Sequence, residues 1–145
     1  MAAASSTTRS VMQNLVRRFY DDIWNKFDTS PELIDAVISP KVTFRGTLEH
    51  STTDREGFKR YVGEIQDSFP DFYQRIDNMW VDGDTCIARM NWSGTHARDF
   101  RGYKATGGKF EYPGVGIFKI QNDRIVDVWA CGDTHAMFKV ISPSK

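Results

Sequence analysis

The hydrophobic pattern of this chain changes from a helical period to a strand period near Asp71, and this change constrains the fold more than any other feature. From Val11 to Phe27, apolar residues recur every third or fourth position, which is typical of one face of a helix. From Cys86 to His96, apolar and polar residues alternate, as they do along a half-buried strand. Because helices come first and an antiparallel meander follows, the order predicts an α+β fold rather than βαβ units.

Turn and capping residues mark the other predicted elements. Three more helices are expected: one from Ser30-Pro31 to Pro40, one from the capping-box pattern at Thr53 to Phe69, and a short one opened by Asp133. A short strand is expected over 42–45, and the later strands, the last over 125–131, are separated by turns at 82–84 and 121–123.

The composition argues against several classes of protein. The chain has 145 residues with 19 basic and 19 acidic side chains, whereas a dedicated nucleic-acid binder carries a basic excess. No apolar run is long enough to span a membrane, and the first residues lack the apolar core of a signal peptide. Cys86 and Cys131 lie in apolar segments and are expected to be reduced core thiols. We therefore expect a cytoplasmic protein with a frayed stretch over 1–9 and one domain over 10–145, bound to neither nucleic acid nor membrane.

The predicted strands are long and interrupted by glycine, which favours a strongly bent sheet with helices across its concave side. Such a sheet leaves a hollow at one end, where a ligand would bind. If Lys119 and Arg89 lie in water, then Phe118 and Met90 face inward. The same register points five further side chains into the hollow: Asn78, Trp80, Trp92, His96 and Tyr112.

Two ionisable residues are candidates for proton transfer, and each has a structural alternative. His96 is the titratable imidazole on the predicted inner face, and the choice between a reacting group and a satisfied histidine near a strand end is even. Asp133 is either a helix N-cap, which the local sequence favours, or a carboxylate at the mouth of an apolar pocket. Arg45 and the basic residues near 98–109 are expected at a solvated rim, with orientation of an acidic substrate as the weaker alternative.

Four segments together resemble the SnoaL-like polyketide cyclases, of the superfamily that includes nuclear transport factor 2, scytalone dehydratase and ketosteroid isomerase. They are "RRFYDDIWNKFD", "FPDFYQRIDNMWVDGD", "WSGTHARDFRGYKATGG" and "YPGVGIFKIQNDRIVDVWACGD", and the resemblance covers roughly residues 10 to 140. It implies a cone-shaped α+β barrel with a curved, largely antiparallel sheet around the N-terminal helices. It also implies a homodimer through the convex sheet face, and neither a metal nor an organic cofactor.

The resemblance further implies an intramolecular aldol cyclisation, in which Asp133 matches the family's pocket aspartate and His96 its Gly-Thr-His histidine. The chain departs from the family pattern at Asn122-Asp123, where a glycine is usual, and at Ala130 and Cys131, where many members carry Asp or His. The catalytic candidates are thus Asp133, His96 and Tyr112. The candidate substrate-binding residues are Trp92, Met90, Trp80, Asn78, Phe118, Trp129 and Tyr20, with Arg45 at the rim.

The expected function is cofactor-free acid/base catalysis on a small hydrophobic substrate, such as cyclisation or isomerisation of a polyketide or terpenoid in secondary metabolism. One alternative is hydrolysis or rearrangement of an epoxide in the same pocket. Another is a non-catalytic module that binds a ligand or a protein. An ionisable pair inside the cone favours an enzyme, whereas a wholly apolar cone favours binding.

Overall fold

In the computed structural model of the chain, residues 6–48 and 50–143 are described, and they form four α-helices, one π-helical segment and six β-strands. The helices are Ser6–Arg17 (α1), Pro31–Val37 (α2), Arg55–Ser68 (α3) and His135–Ile141 (α4), with the π-helical segment Arg18–Trp24 directly after α1. The strands are Ile38–Gly46 (β1), His50–Thr52 (β2), Tyr73–Asp82 (β3), Thr85–Thr95 (β4), Lys109–Gln121 (β5) and Arg124–Gly132 (β6). The predicted α+β class is confirmed.

The strands form one mixed sheet in the order β2-β1-β6-β5-β4-β3. β1 pairs with β6 in parallel, and the other neighbours are antiparallel. β1 starts at Ile38, earlier than the predicted 42–45, and β2 was not predicted. Of the stretch 1–9 that the sequence suggests is frayed, residues 1–5 lie outside the described residues and α1 begins at Ser6.

The N-terminal helix packs on the inner face of the sheet through its π-helical segment. The wider turn is visible where the Asn25 N–H donates to the Tyr20 carbonyl, five residues back, at 2.8 Å. Its four apolar side chains, Phe19, Tyr20, Ile23 and Trp24, are all buried. Phe19 and Tyr20 meet the ring of Phe118 edge-on, with centroids 5.1 and 5.5 Å away, which fixes the helix over the middle of the sheet.

A bulge in β3 overturns part of the predicted register. Asp77 is an extra residue between the pairs Ile76–Met90 and Asn78–Arg89, so the alternation of faces inverts after it. The prediction that Asn78 and Trp80 face inward is therefore wrong: Asn78 is exposed and Trp80 is 50% exposed. Met79 packs against the core in their place.

A second bulge, at Val126, shifts the faces of β6. Val126 has no partner between the pairs Lys119–Asp127 and Ile120–Ile125. After it, Val128 and Ala130 are buried, while Trp129 is 39% exposed and Cys131 is exposed. Cys131 is thus not a core thiol, although Cys86 is buried as expected.

Two helix caps lie one residue later than the sequence predicts. The Asp54 carboxylate, one residue after the predicted Thr53, caps α3 by accepting from the Gly57 N–H at 2.6 Å. α4 is capped at Thr134, and no side-chain capping bond is made there, so the expectation that Asp133 opens this helix is wrong by one residue. Among the described residues, the helices are all too short or too polar to cross a membrane.

Two glycines offer a matched test of this packing. An alanine methyl at Gly114 would lie 2.1 Å from the Trp92 ring and 2.5 Å from the Cys131 carbonyl oxygen, whereas one at Gly63 in α3 would meet nothing within 4 Å. We expect Gly114→Ala to lower the free energy of unfolding by at least about 2 kcal/mol, since the blocking backbone cannot yield cheaply. Gly63→Ala should raise it by about 0.5–1 kcal/mol through helix propensity. Denaturant unfolding measures both, and a destabilisation of similar size at both sites would contradict this account.

Candidate active site

One cavity lies between the π-helical segment and the inner face of the sheet. Its walls come from every layer of the fold: Phe19, Tyr20, Trp24, Phe44, Gly46, Thr47, Tyr61, Phe72, Gln74, Trp92, Tyr112, Val128 and Ala130. The free volume is about 30 Å³, room for about two water molecules. A larger ligand therefore binds here only if the aromatic walls move or if it extends beyond them.

The cavity is walled mainly by aromatic rings and carries a few neutral polar groups. These are the Gln74 carboxamide, the hydroxyl of Thr47, and the phenols of Tyr20, Tyr61 and Tyr112. No carboxylate, imidazole, ammonium or guanidinium is among the lining residues, all of which the structure describes. The interior can thus donate hydrogen bonds to a ligand, but it holds no strong base.

Burial keeps the three tyrosines in their protonated form. Desolvation raises the pKa of Tyr20, Tyr61 and Tyr112 far above its usual value, because a buried phenolate would lose its hydration. Their hydroxyls can therefore donate to a ligand oxygen across the physiological range of pH.

Gln74 is held at both its backbone and its side chain. Asn25, directly after the π-helical segment, donates from Nδ2 to the Gln74 carbonyl at 2.9 Å and accepts from the Gln74 N–H at 2.8 Å. These bonds satisfy backbone groups on the free edge of β3, the last strand of the sheet. The Trp92 indole N–H donates to Gln74 Oε1 at 2.6 Å, inside the protein.

His96 is fully buried but does not line the cavity. Its Nδ1 lies 3.3 Å from the Thr106 N–H and 3.2 Å from the Thr106 hydroxyl, so the ring joins the two ends of the segment between β4 and β5. Nε2 has no hydrogen-bond partner among the described residues, and the ring lies 5.8 Å from that of Phe69.

Asp133 is exposed and does not line the cavity, whereas the functional interpretation of the sequence expects its carboxylate at the mouth of the pocket. Its backbone lies at the cavity end of the sheet, because its N–H donates to the Pro113 carbonyl at 2.9 Å. The preceding Gly132 lies against the rings of Trp92 and Tyr112, where an added methyl would sit 2.9 Å from each. The carboxylate thus follows directly on a residue that packs against the cavity walls.

The other predicted residues divide between wall, core and outer surface. Trp92, Tyr112 and Tyr20 line the cavity as expected, and Met90 and Phe118 are buried beside it without lining it. Asn78, Trp80, Trp129 and Arg45 lie outside it. The Arg45 guanidinium sits 5.2 Å from the Trp129 ring and donates to the Ala130 carbonyl at 2.8 Å.

Sequence reasoning missed Gln74, Thr47, Trp24 and Tyr61 as cavity residues. Gln74 has the same parity as Ile76, so extending the alternation of β3 backwards by two residues would have found it. Trp24 and Tyr61 lie in segments predicted to be helical, and only the three-dimensional packing separates a cavity wall from the rest of the core.

A groove of about 290 Å³ adjoins the cavity at Thr47, which lines both. Its other walls come from the turn after β1, the segment between β4 and β5, and α4: Leu48, Phe100, Arg101, Tyr103, Thr134 and Phe138. Arg101 makes a two-pronged ion pair with Glu64 at 2.8 and 2.9 Å, and its hydrogen bonds hold the pKa of Glu64 below the usual value. No group of three or more His, Cys, Asp or Glu side chains within 6–48 and 50–143 is arranged to hold a metal ion.

The buried tyrosines predict an alkaline limit to stability. Folding raises the pKa values of these tyrosines, so their contribution to the free energy of unfolding is complete below about pH 10 and is lost progressively above it. The free energy of unfolding should then fall by about 1.4 kcal/mol per pH unit for each tyrosine that ionises only on unfolding. Tyr20→Phe should make this decline shallower, whereas Tyr73→Phe, which alters a half-exposed ring, should not. Phenolate absorbance from all five tyrosines before unfolding would contradict the prediction.

One family model matches most of the chain. The family model for the SnoaL-like polyketide cyclases matches residues 14–141. No protein with a curated description matches the chain significantly.

Three solved structures show the same fold at low sequence identity. A candidate SnoaL-like polyketide cyclase from Jannaschia sp. CCS1 is 17% identical, with a TM-score of 0.87 over 99% of this chain and 100% of that one. IdmH, a candidate polyketide cyclase from Streptomyces antibioticus, is 24% identical, with a TM-score of 0.76 over 90% and 98%. TsrD from Streptomyces laurentii is 23% identical, with a TM-score of 0.79 over 94% and 98%.

Proposed function

Because this chain belongs to the SnoaL-like polyketide cyclase family, we propose that it is an enzyme that closes a ring in a polyketide-like or terpenoid molecule by acid/base chemistry, without a cofactor. The observation that carries the proposal is the aromatic cavity whose polar groups are neutral hydrogen-bond donors. Flat apolar walls favour a substrate of fused or folded carbon units. Donors in a water-poor site favour a reaction that develops negative charge on oxygen.

The proposed reaction is an intramolecular aldol addition. A base removes a proton from the carbon beside one carbonyl, and the electron pair moves to that oxygen to give an enolate. The enolate carbon then forms a bond to a second carbonyl carbon of the same molecule, whose oxygen becomes an alkoxide and takes up a proton. The cavity walls would fold the chain so that the two carbons meet, and the donors would stabilise both oxyanions.

The proposal assigns the base to Asp133, at the junction of cavity and groove. The lining residues supply no base, so the proton acceptor must lie at the cavity's edge. Gly132 packs on Trp92 and Tyr112, and Thr134 lines the groove, so the backbone of Asp133 is flanked by both spaces. Its exposed side chain would turn toward a substrate that extends from the cavity past Thr47 into the groove.

Asp133→Asn is therefore expected to lower kcat by at least about 100-fold, at the low end of what a general base contributes. The test uses a linear poly-β-ketone carried as a thioester, with the cyclised product followed by chromatography and mass. The matched control is Asp123→Asn in the turn at the opposite end of β6. Its φ of 58° is one that Asn adopts readily, so turnover should be unaffected. Unchanged turnover in folded Asp133→Asn would remove Asp133 from the mechanism.

A second candidate function is ligand binding without turnover, and the absence of an ionisable group from the cavity wall favours it. A binding module would take up the linear ketone stoichiometrically and release it unchanged. A single-turnover experiment with the protein in excess separates the two functions, because only an enzyme yields the ring-closed isomer or its dehydrated form. An epoxide of similar size, run in parallel, tests the hydrolase alternative.

We also propose that the protein is a homodimer through the outer face of the sheet. Trp80, Ile87, Ile117 and Trp129 are register partners on four neighbouring strands and form a continuous row across that face. Both tryptophans are exposed, and both isoleucines are partly exposed. Such an apolar row is what a self-complementary twofold interface buries.

The assembly is tested at the centre of the row. Light scattering of the unaltered chain is expected to give twice the 16.6 kDa monomer mass. Ile117→Lys should give the monomer mass, because a dimer would bury two unpaired ammonium groups. Val11→Lys, on the exposed side of α1, is the matched control and should stay dimeric. A monomer mass for the unaltered chain at micromolar concentration would reject the proposal.

A further inference from the structure

We propose that Gln74 is the group that binds the reacting oxygen of the substrate, with its side-chain amide N–H as the donor. The assignment rests on the proposed function for the kind of ligand, a carbonyl that becomes an enolate. The position of the Gln74 amide, however, is a property of the cavity alone, and its binding to an oxyanion can be tested without turnover.

The chemistry of the indole group fixes which way the amide points. Trp92 Nε1 carries a hydrogen and can only donate, so the atom of Gln74 that lies 2.6 Å from it must be the acceptor, Oε1. The amide nitrogen is therefore on the other branch of the planar group. Nε2 makes no hydrogen bond to any residue within 6–48 and 50–143, although Gln74 lines the cavity.

Gln74 is also fixed in place to a degree that a surface glutamine is not. The residue is 4% exposed, and both its backbone groups are bonded to Asn25. A donor held in this way reorganises little when charge develops on a nearby oxygen, which is the property that makes oxyanion stabilisation effective. A ligand oxygen in the cavity would accept a hydrogen bond from this N–H, which has no partner among the described residues.

Thr47 adds a second unpaired polar group to the same cavity. Its Oγ1 is buried and has no hydrogen-bond partner among the described residues. Thr47 also lines the groove, so it marks where a ligand longer than the cavity would leave it. No cation lines the cavity, so a carboxylate or phosphate bound there would lack a countercharge. The two unpaired neutral groups therefore favour a ligand with a delocalised oxyanion.

The competing explanation is that Gln74 serves only to hold Trp92. The two roles differ in the atom that matters: the structural role uses Oε1, whereas the binding role uses Nε2. Gln74→Met alone would leave the indole N–H unpaired and could unfold the protein. The double variant Gln74→Met/Trp92→Phe removes both partners together, and its proper reference is Trp92→Phe, which keeps the amide.

Substituted phenols are the probes, because a phenolate carries a planar delocalised oxyanion like that of an enolate. Binding is measured by calorimetry, and ionisation of the bound phenol by its absorbance, at a pH below the pKa of the free phenol. We expect the unaltered chain to bind phenols and to favour the phenolate. The dissociation constant should be at least about tenfold higher for Gln74→Met/Trp92→Phe than for Trp92→Phe, equal to a loss of one pKa unit in the bound phenol. Gln66→Met, on the exposed side of α3, is the control for the substitution itself.

Equal phenolate binding by the double variant and by Trp92→Phe would overturn the proposal, and so would a failure of the unaltered chain to bind any phenol. Circular dichroism and unfolding curves establish that the compared variants are folded. The result is independent of catalysis. Gln74-dependent binding without cyclisation of any linear ketone would contradict the proposed enzyme and leave this assignment standing. If the unaltered chain cyclises a linear ketone but the Gln74 variant binds phenolate normally, the proposed enzyme stands and this assignment is contradicted.

Discussion

The hydrogen bond between Trp92 and Gln74 is the interaction on which the rest of the cavity depends. It joins β4 to the edge strand β3 across the inner face of the sheet, at 2.6 Å. The Trp92 ring occupies the space that two glycines leave open, Gly114 on β5 and Gly132 on β6. Asn25 extends the connection to the N-terminal helix by bonding the Gln74 backbone. A single indole thereby couples four strands and the helix above them.

The π-helical segment supplies the cavity wall that faces the sheet. The segment from Arg18 to Trp24 buries all four of its apolar residues against the sheet and α3. Phe19 and Tyr20 meet Phe118 edge-on, and Trp24 meets Tyr61 in the same way at 5.6 Å. Because these rings interdigitate, the interior is nearly full, and a ligand larger than the cavity would enter only by displacing rings.

Local signals predicted most of this fold, and non-local ones account for what was missed. Periodicity and turn residues located the helices and the long strands, and parity placed Met90, Trp92, Tyr112 and Phe118 inside. The bulges at Asp77 and Val126 carry no distinctive residue, yet each reverses every face that follows, which moved Trp80 outward. The parallel pairing of β1 with β6 joins distant parts of the chain, and no local pattern encodes it. The orientation of Gln74 likewise depends on Trp92, eighteen residues away.

The placement of charge gives the cavity its chemical character. An ionised side chain is costly in an interior walled by aromatic rings, whereas neutral amides and phenols are tolerated there and still donate hydrogen bonds. The fold keeps its neutral donors inside and leaves the carboxylate of Asp133 exposed, directly after the cavity end of β6. Under the proposed function, a reaction that uses both a donor and a base would occur where these two regions meet. Thr47 lines both the cavity and the groove, so the proposed substrate would have its oxygen in the cavity and its acidic carbon toward the groove.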